Sequence, residues 1–259
     1  MKRSLISPDL SLFPEEYRPL IQPGKVYDSS CSRQARVWFL DVEEGYYLKA
    51  SPAGTLKTEA AMDGYFHSLG LGPQVISYRS EEKDWLLTAR VPGEDCTYAQ
   101  YLAQPERLCD LLGERLRMLH SLPTDGCPVP DRMAGYLATV EEGFRVGRFC
   151  GEFCPKGIGS PEEAYRLVER FAPYLQRNTL LHGDYCLPNV MLKDWTFSGF
   201  IDLDGSGVGD RHVDLFWGAW TLNFNLKTDR YRQRFFDAYG RDRVEEDLLS
   251  FVGAAEAFG

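Results

Sequence analysis

One stretch of the 259-residue sequence constrains the fold more than any other: Leu180 to Gly205. Asp184 precedes Asn189 by five positions, and Asp202 ends the apolar run Gly199-Phe200-Ile201. Val190-Met191-Leu192 and Gly199-Phe200-Ile201 are β-like and separated by a turn. They predict a hairpin that brings Asn189 near Asp202. Each piece alone has a plainer explanation. His182-Gly183-Asp184 reads as a turn, the Asp184–Asn189 pair as a capped loop, and Asp202 as a strand cap. In combination they supply two carboxylates and an amide oxygen, the layout of a phosphoryl-transfer loop and metal-binding strand. One carboxylate holds an acceptor hydroxyl in line, while a second carboxylate and the amide oxygen suit Mg²⁺ on phosphate oxygens. Such chemistry asks the protein for placement and charge rather than covalent steps.

The rest of the chain sorts into two regions. Before residue 90, short β-like runs at 24–27, 35–40, 46–50, 75–78 and 85–89 surround one helical stretch from Glu59 to Leu69, closed by Gly70 and Gly72-Pro73. Val91-Pro92-Gly93-Glu94 is the clearest break. Beyond it, Leu108, Leu111, Leu112, Leu116 and Leu119 share one face at helical spacing, with Pro105 at the helix start. Further helical stretches run near 133–146, 162–176, 213–223, 228–239 and 244–257. The expected fold class is therefore α+β: a small β-rich lobe over 1–90, a hinge near 89–93, and a larger helical lobe over 91–259.

Composition narrows the function classes. Hydrophobic residues are 44% and aromatics 13%, enough to bury a sizeable core. No apolar run approaches the ~20 residues needed to span a bilayer. The first residues lack the apolar stretch of about 7–15 that a signal peptide needs. The expectation is a cytoplasmic protein with no membrane partner. With 29 Lys+Arg against 38 Asp+Glu the net charge is −9, which repels nucleic acid and attracts small cations. Seven cysteines without an export signal predict reduced thiols. Cys150 and Cys154 have no second Cys/His pair at zinc-site spacing.

The stretch HGDYCLPNVMLKDWTFSGFIDLDGSGVGDRHVDL at 182–215 closely resembles the aminoglycoside phosphotransferase family, and within it the 3′-phosphotransferases (kanamycin kinases). The resemblance extends to YYLKAS at 46–51, KTEAAMDGYFHSLGLGPQV at 57–75 and LLTARVPGEDC at 86–96. It implies a protein kinase-like bilobal fold, with ATP between the lobes and Mg²⁺ as cofactor. By match, Asp184 is the catalytic base, and Asn189 and Asp202 are the metal ligands. Lys49 contacts the α/β-phosphates and is held by Glu59. Tyr47 stacks on adenine, and backbone groups of Ala89 and Val91 hydrogen-bond the base. The loop 28–33, with Ser32, covers the phosphates. Along a strand Tyr47 and Lys49 share a face, which fits one nucleotide touching both. Taken alone, Lys49 is a solvated strand lysine and Tyr47 is core packing.

The acceptor half matches less closely. Where the resemblance implies an acidic acceptor loop, residues 147–156 carry only Glu152 as an acid. Asp204-Gly205 stands where Gly-Arg is usual, and a family glutamate falls at Phe224. The terminal Glu-x-Phe is present as Glu256-Ala257-Phe258, but Gly259 follows, which would shift a terminal-carboxylate contact. Acceptor contacts are expected from Asp184, Glu152, Glu256 and Phe258. The reading is a kinase of an aminoglycoside 3′-hydroxyl that confers resistance and acts as a monomer or weak dimer. A kinase of another hydroxyl acceptor (choline, macrolide or sugar-like) and a nucleotide-binding pseudokinase remain open at this stage, as does ATP versus GTP.

Overall fold

A computed structural model describes residues 3–31 and 35–259. Along the chain run β1 (Ser4–Ile6), α1 (Arg18–Ile21), β2 (Lys25–Asp28), β3 (Arg36–Asp41), β4 (Tyr46–Pro52), α2 (Lys57–Ser68), β5 (Val75–Ser80), β6 (Lys83–Ala89) and β7 (Glu94–Asp95). Next come α3 (Ala99–Leu102), α4 (Pro105–Leu119), α5 (Arg132–Arg145), α6 (Pro161–Phe171), β8 (Thr179–Leu181), β9 (Val190–Lys193) and β10 (Thr196–Phe200). The series closes with β11 (Gly207–Gly209), α7 (His212–Leu226), α8 (Arg232–Tyr239) and α9 (Glu246–Glu256). The α+β class expected from the sequence is what the chain adopts.

The residues group into two compact units. One holds Met1–Asp95 with Val190–Asp204, the other Cys96–Asn189 with Gly205–Gly259. The expected division into 1–90 and 91–259 differs in two places, for one physical reason. β7 pairs antiparallel with β9, Glu94 opposite Leu192 and Asp95 opposite Met191, and β9 pairs with β10. Strand pairing therefore ties Glu94 and Asp95 to the 190–204 hairpin. Gly93 makes the approach possible: at its φ of +100° an added Cβ would lie 2.1 Å from the Leu192 carbonyl oxygen.

In the first unit the antiparallel sheet runs β1-β2-β3-β4-β6-β5. Strand alternation splits its residues between two faces. Val26, Trp38, Leu40, Leu48 and Leu87 point to one side and pack with Phe13 and Tyr17 into a core. Trp38 stacks on Trp85 at 6.0 Å between ring centroids. The other parity of β4 carries Tyr47 and Lys49. Tyr47 lies opposite Phe39, and Phe39 opposite Tyr27. Buried Asp84 of β6 accepts the backbone N–H groups of Gly54 and Leu56, each at 2.8 Å, and so fixes the entry to α2.

The second unit is built on amphipathic helices. Leu108, Leu112, Leu116 and Leu119 of α4 are buried as their spacing predicts, and Leu111 is half-buried. Pro161 opens α6, where the Ser160 hydroxyl accepts the Glu163 N–H at 3.2 Å. Facing residues of α5, α6 and α9 form a second core, which includes Met133, Val140, Val168, Phe251 and Phe258. Among the described residues no helix is long and apolar enough to cross a membrane.

Phe258, expected at the acceptor site, lies wholly inside this core. Its ring has Phe144 at 5.7 Å, Phe149 at 5.7 Å and Tyr165 at 6.0 Å. A ring fully enclosed by aromatics has no face left for a solute. Phe258→Ala should therefore lower unfolding free energy by about 3–5 kcal/mol, read by urea denaturation. A loss within error of zero would place the ring outside the core.

Candidate active site

In the first unit, β4 presents Lys49 and the first turn of α2 presents Glu59. The Lys49 ammonium lies 2.5 Å from Glu59 Oε1 and 3.2 Å from Asp202 Oδ1. Burial alone would lower the lysine pKa, but the carboxylates of Asp202 and Glu59 outweigh it and hold Lys49 well above its ordinary value. Asp202 follows β10 with φ 61°, the left-handed region that Asp tolerates better than most residues. Its side chain keeps 55% of its exposure, so the carboxylate that meets Lys49 is also open to a ligand. One turn beyond Glu59, buried Asp63 has its carboxyl pushed well above the usual range by desolvation and by Glu59.

Tyr47 packs its ring on Phe39 at 5.2 Å, and its hydroxyl accepts a hydrogen bond from Arg3. The Arg3 guanidinium lies 3.9 Å from the Phe39 ring centroid. The Ala89 N–H donates to the Gln74 carbonyl at 2.9 Å, and Val91 is buried. Ser32 lies outside the described residues.

In the second unit, β8 leads into the loop that carries Asp184. Both oxygens of buried Asp214 on α7 accept from this loop: Oδ2 takes the His182 N–H at 2.8 Å, and Oδ1 the Gly183 N–H at 2.7 Å. Asp214 Oδ2 also lies 3.0 Å from His120 Nε2, while His120 Nδ1 lies 2.9 Å from the Tyr239 hydroxyl. A carboxylate only accepts, so Nε2 carries the proton and Nδ1 accepts from Tyr239. Gly183 has φ +86°, and an added Cβ would sit 1.8 Å from the Gly205 carbonyl oxygen. Only glycine fits this crossing. The Asn189 amide donates to Asp184 Oδ2 at 2.8 Å and to the Asp184 carbonyl at 3.0 Å. Both amide hydrogens are thus spent on Asp184, which leaves Asn189 Oδ1 as a hard-oxygen donor.

A cavity of about 230 Å³ adjoins Asp184, with Gly183, Arg132, Tyr136, Trp217 and Glu256 in its lining. The Tyr136 hydroxyl donates to Glu256 Oε1 at 2.8 Å. Burial raises the Glu256 pKa, and hydrogen bonds from Tyr136 and Trp217 act against that rise. Glu152 is exposed on the short turn Gly151–Phe153 and is absent from this lining. A separate cavity of about 240 Å³, walled by Phe153, Phe216, Trp220 and Phe236, contains none of the expected site residues.

The structure thus brings Lys49, Glu59 and Asp202 together in one unit, and Asp184, Asn189 and Glu256 around one loop and cavity in the other. No cluster of three or more His, Cys, Asp or Glu suited to a metal occurs among the described residues. Sequence reading gave no role to Asp214, His120, Tyr136, Trp217 or Arg132. Asp214 lay inside the matching stretch, but its partners are distant in sequence and only the fold supplies them.

The family model described as the phosphotransferase enzyme family matches residues 30–249. A probable aminoglycoside 3′-phosphotransferase of Lactococcus lactis is 49% identical, over 97% of this chain and 97% of that protein. An aminoglycoside 3′-phosphotransferase of Niallia circulans is 30% identical, over 82% of this chain and 83% of its own. Among solved structures, an aminoglycoside-3′-phosphotransferase of type VIII superposes with TM-score 0.74 at 23% identity, covering 99% of this chain and 94% of the other. The Streptomyces rimosus aminoglycoside phosphotransferase APH(3″)-Id, in complex with ADP and streptomycin, gives TM-score 0.73 at 20% identity, with 97% and 99% covered. The fold is thus the kinase-like fold of these enzymes, and the chemistry is transfer of a phosphoryl group to a hydroxyl. This chain belongs to the phosphotransferase enzyme family.

The His120 contacts have a pH consequence. Burial holds the folded-state pKa of His120 below its ordinary value, against the pull of Asp214. The unfolded chain, with a histidine pKa of about 6.5, therefore binds more protons than the folded chain as pH falls. Stability present above that pH is lost below it. The urea midpoint should drop between about pH 7.5 and 5.5, and drop less in His120→Gln, which keeps a donor near Asp214. Equal slopes in both proteins would show that His120 does not titrate with unfolding.

Proposed function

We propose that this protein transfers the γ-phosphoryl group of ATP to the 3′-hydroxyl of an aminoglycoside, and thereby confers resistance to it. The observation that carries this reading is the 49% identity to the Lactococcus lactis protein along nearly the whole of both chains. The intact Lys49–Glu59–Asp202 and Asp184–Asn189 contacts support it. They also speak against a pseudokinase.

Asp184 orients the acceptor hydroxyl and takes its proton. The acceptor oxygen bonds to phosphorus as the bond to the β–γ bridging oxygen breaks, and ADP leaves. Lys49, held by Glu59, meets the α/β-phosphates. Asn189 Oδ1 and Asp202 are the residues that would hold Mg²⁺, which would supply neutralisation of phosphate charge. Tyr47 and the backbone of Ala89 and Val91 receive the adenine. Glu256, fixed by Tyr136, anchors an ammonium group of the acceptor, and the net charge of −9 favours cationic substrates over nucleic acid. ATP as donor places the work in the cytoplasm. The product carries a phosphate dianion that RNA phosphates repel, so the drug loses its target.

The test is a phosphorylation assay over a broad acceptor panel, with NMR of the product to locate the phosphate. Turnover of kanamycin-class compounds at the 3′ position is expected. Turnover restricted to macrolides or choline would overturn the acceptor assignment. Asp184→Ala should lower kcat by about 10²–10⁴-fold with little change in ATP affinity. Glu59→Ala should raise the KM for ATP more than that for the acceptor. The reverse pattern would mean that Glu59 does not serve the nucleotide.

A further inference from the structure

We propose that Arg132 recognises the phosphate once it is on the acceptor, making it a product- and transition-state-binding residue. The proposal rests on the function just described. Arg132 opens α5 and lines the cavity that adjoins Asp184. It is half-buried, and its charge reaches both Tyr136 and Glu256. Among the described residues it takes part in no ion pair. The acid beside it is engaged elsewhere: Asp131 pairs with Arg177 at 2.6 Å and accepts the Ala134 N–H at 3.1 Å.

A guanidinium with no ion-pair partner among the described residues is the wrong group for greeting a polycation. Coulomb repulsion from Arg132 opposes ammonium groups that Glu256 and Asp184 attract. Its placement makes sense for the other side of the reaction. When the acceptor oxygen gains the phosphoryl group and its proton passes to Asp184, a neutral hydroxyl becomes a phosphate monoester dianion beside the protonated Asp184. A guanidinium offers paired N–H donors in a planar fork that matches phosphate oxygens. An interaction absent with substrate and present as charge arrives lowers the barrier instead of tightening substrate binding. The same contact slows product release, so one residue couples rate to product affinity.

The experiment uses full-length wild type, Arg132→Gln and Arg132→Lys. Aminoglycoside 3′-phosphate made by the wild type serves as the probe for calorimetric product affinity, beside kcat and acceptor KM. For Arg132→Gln, product affinity and kcat should each fall by about tenfold or more, while acceptor KM stays level or decreases. Arg132→Lys should regain part of both, since it restores charge without the fork. A residue that merely supports the fold would raise acceptor KM instead. Unchanged product affinity in folded Arg132→Gln overturns the proposal, as does a rise in acceptor KM with kcat intact. Should Arg132→Gln fail to fold, product affinity in Arg132→Lys equal to wild type overturns it. A wild type that phosphorylates no aminoglycoside removes the functional reading itself, which distinguishes the two failures.

Discussion

The acceptor side depends on one buried carboxylate. Asp214 receives two consecutive backbone N–H groups of the Asp184 loop on its two oxygens, and His120 braces it from behind. Each buried donor left without a partner costs about 1–3 kcal/mol. The loop is therefore held at its backbone, while the Asp184 side chain stays available for chemistry. Asn189 adds a second restraint by donating both amide hydrogens to Asp184. The Gly183–Gly205 crossing sets the height of the loop from the opposite side, since neither strand of backbone can rise without colliding. Rigid placement of this kind is what phosphoryl transfer asks of a protein, because the reaction draws on position and charge.

On the nucleotide side the controlling interaction is electrostatic. Lys49 sits between Glu59 and Asp202, and its ammonium offsets two carboxylates that would otherwise repel each other in a largely buried setting. The partly exposed Asp202 can turn to a ligand without leaving the lysine unpaired, because Glu59 remains at 2.5 Å. Asp63, one turn further along the same helix, is held toward its neutral form by burial and by Glu59 and so adds no third carboxylate charge for Lys49 to offset.

Much of this was legible in the sequence, and the reasons differ from part to part. Short β-like runs at 46–50 and 85–89, set off by turns, located β4 and β6, and the leucine spacing after Pro105 located α4, because both signals are local. β1 and β11 went unread: each has three residues and exists only because a distant strand pairs with it. The Lys49–Glu59 pair was supplied by the family resemblance, since Lys49 by itself reads as a solvated strand lysine. The Asp214–His120 link spans 94 positions and has no local signature. Phe258 was expected at the acceptor site only through the match of the terminal Glu-x-Phe, whereas α5 and α6 close around its ring.

The order in which the chain visits its two units limits how it can be cut. It leaves the second unit at Asn189, completes the first with the hairpin, and returns at Gly205. A fragment ending at Asp95 would be missing the strand that covers β7, and one starting at Cys96 would carry that hairpin as an orphan loop. Neither half is a self-sufficient piece of polypeptide, so modular exchange of nucleotide and acceptor halves among relatives requires three junctions, one after Asp95 and one on each side of the hairpin, rather than a single one.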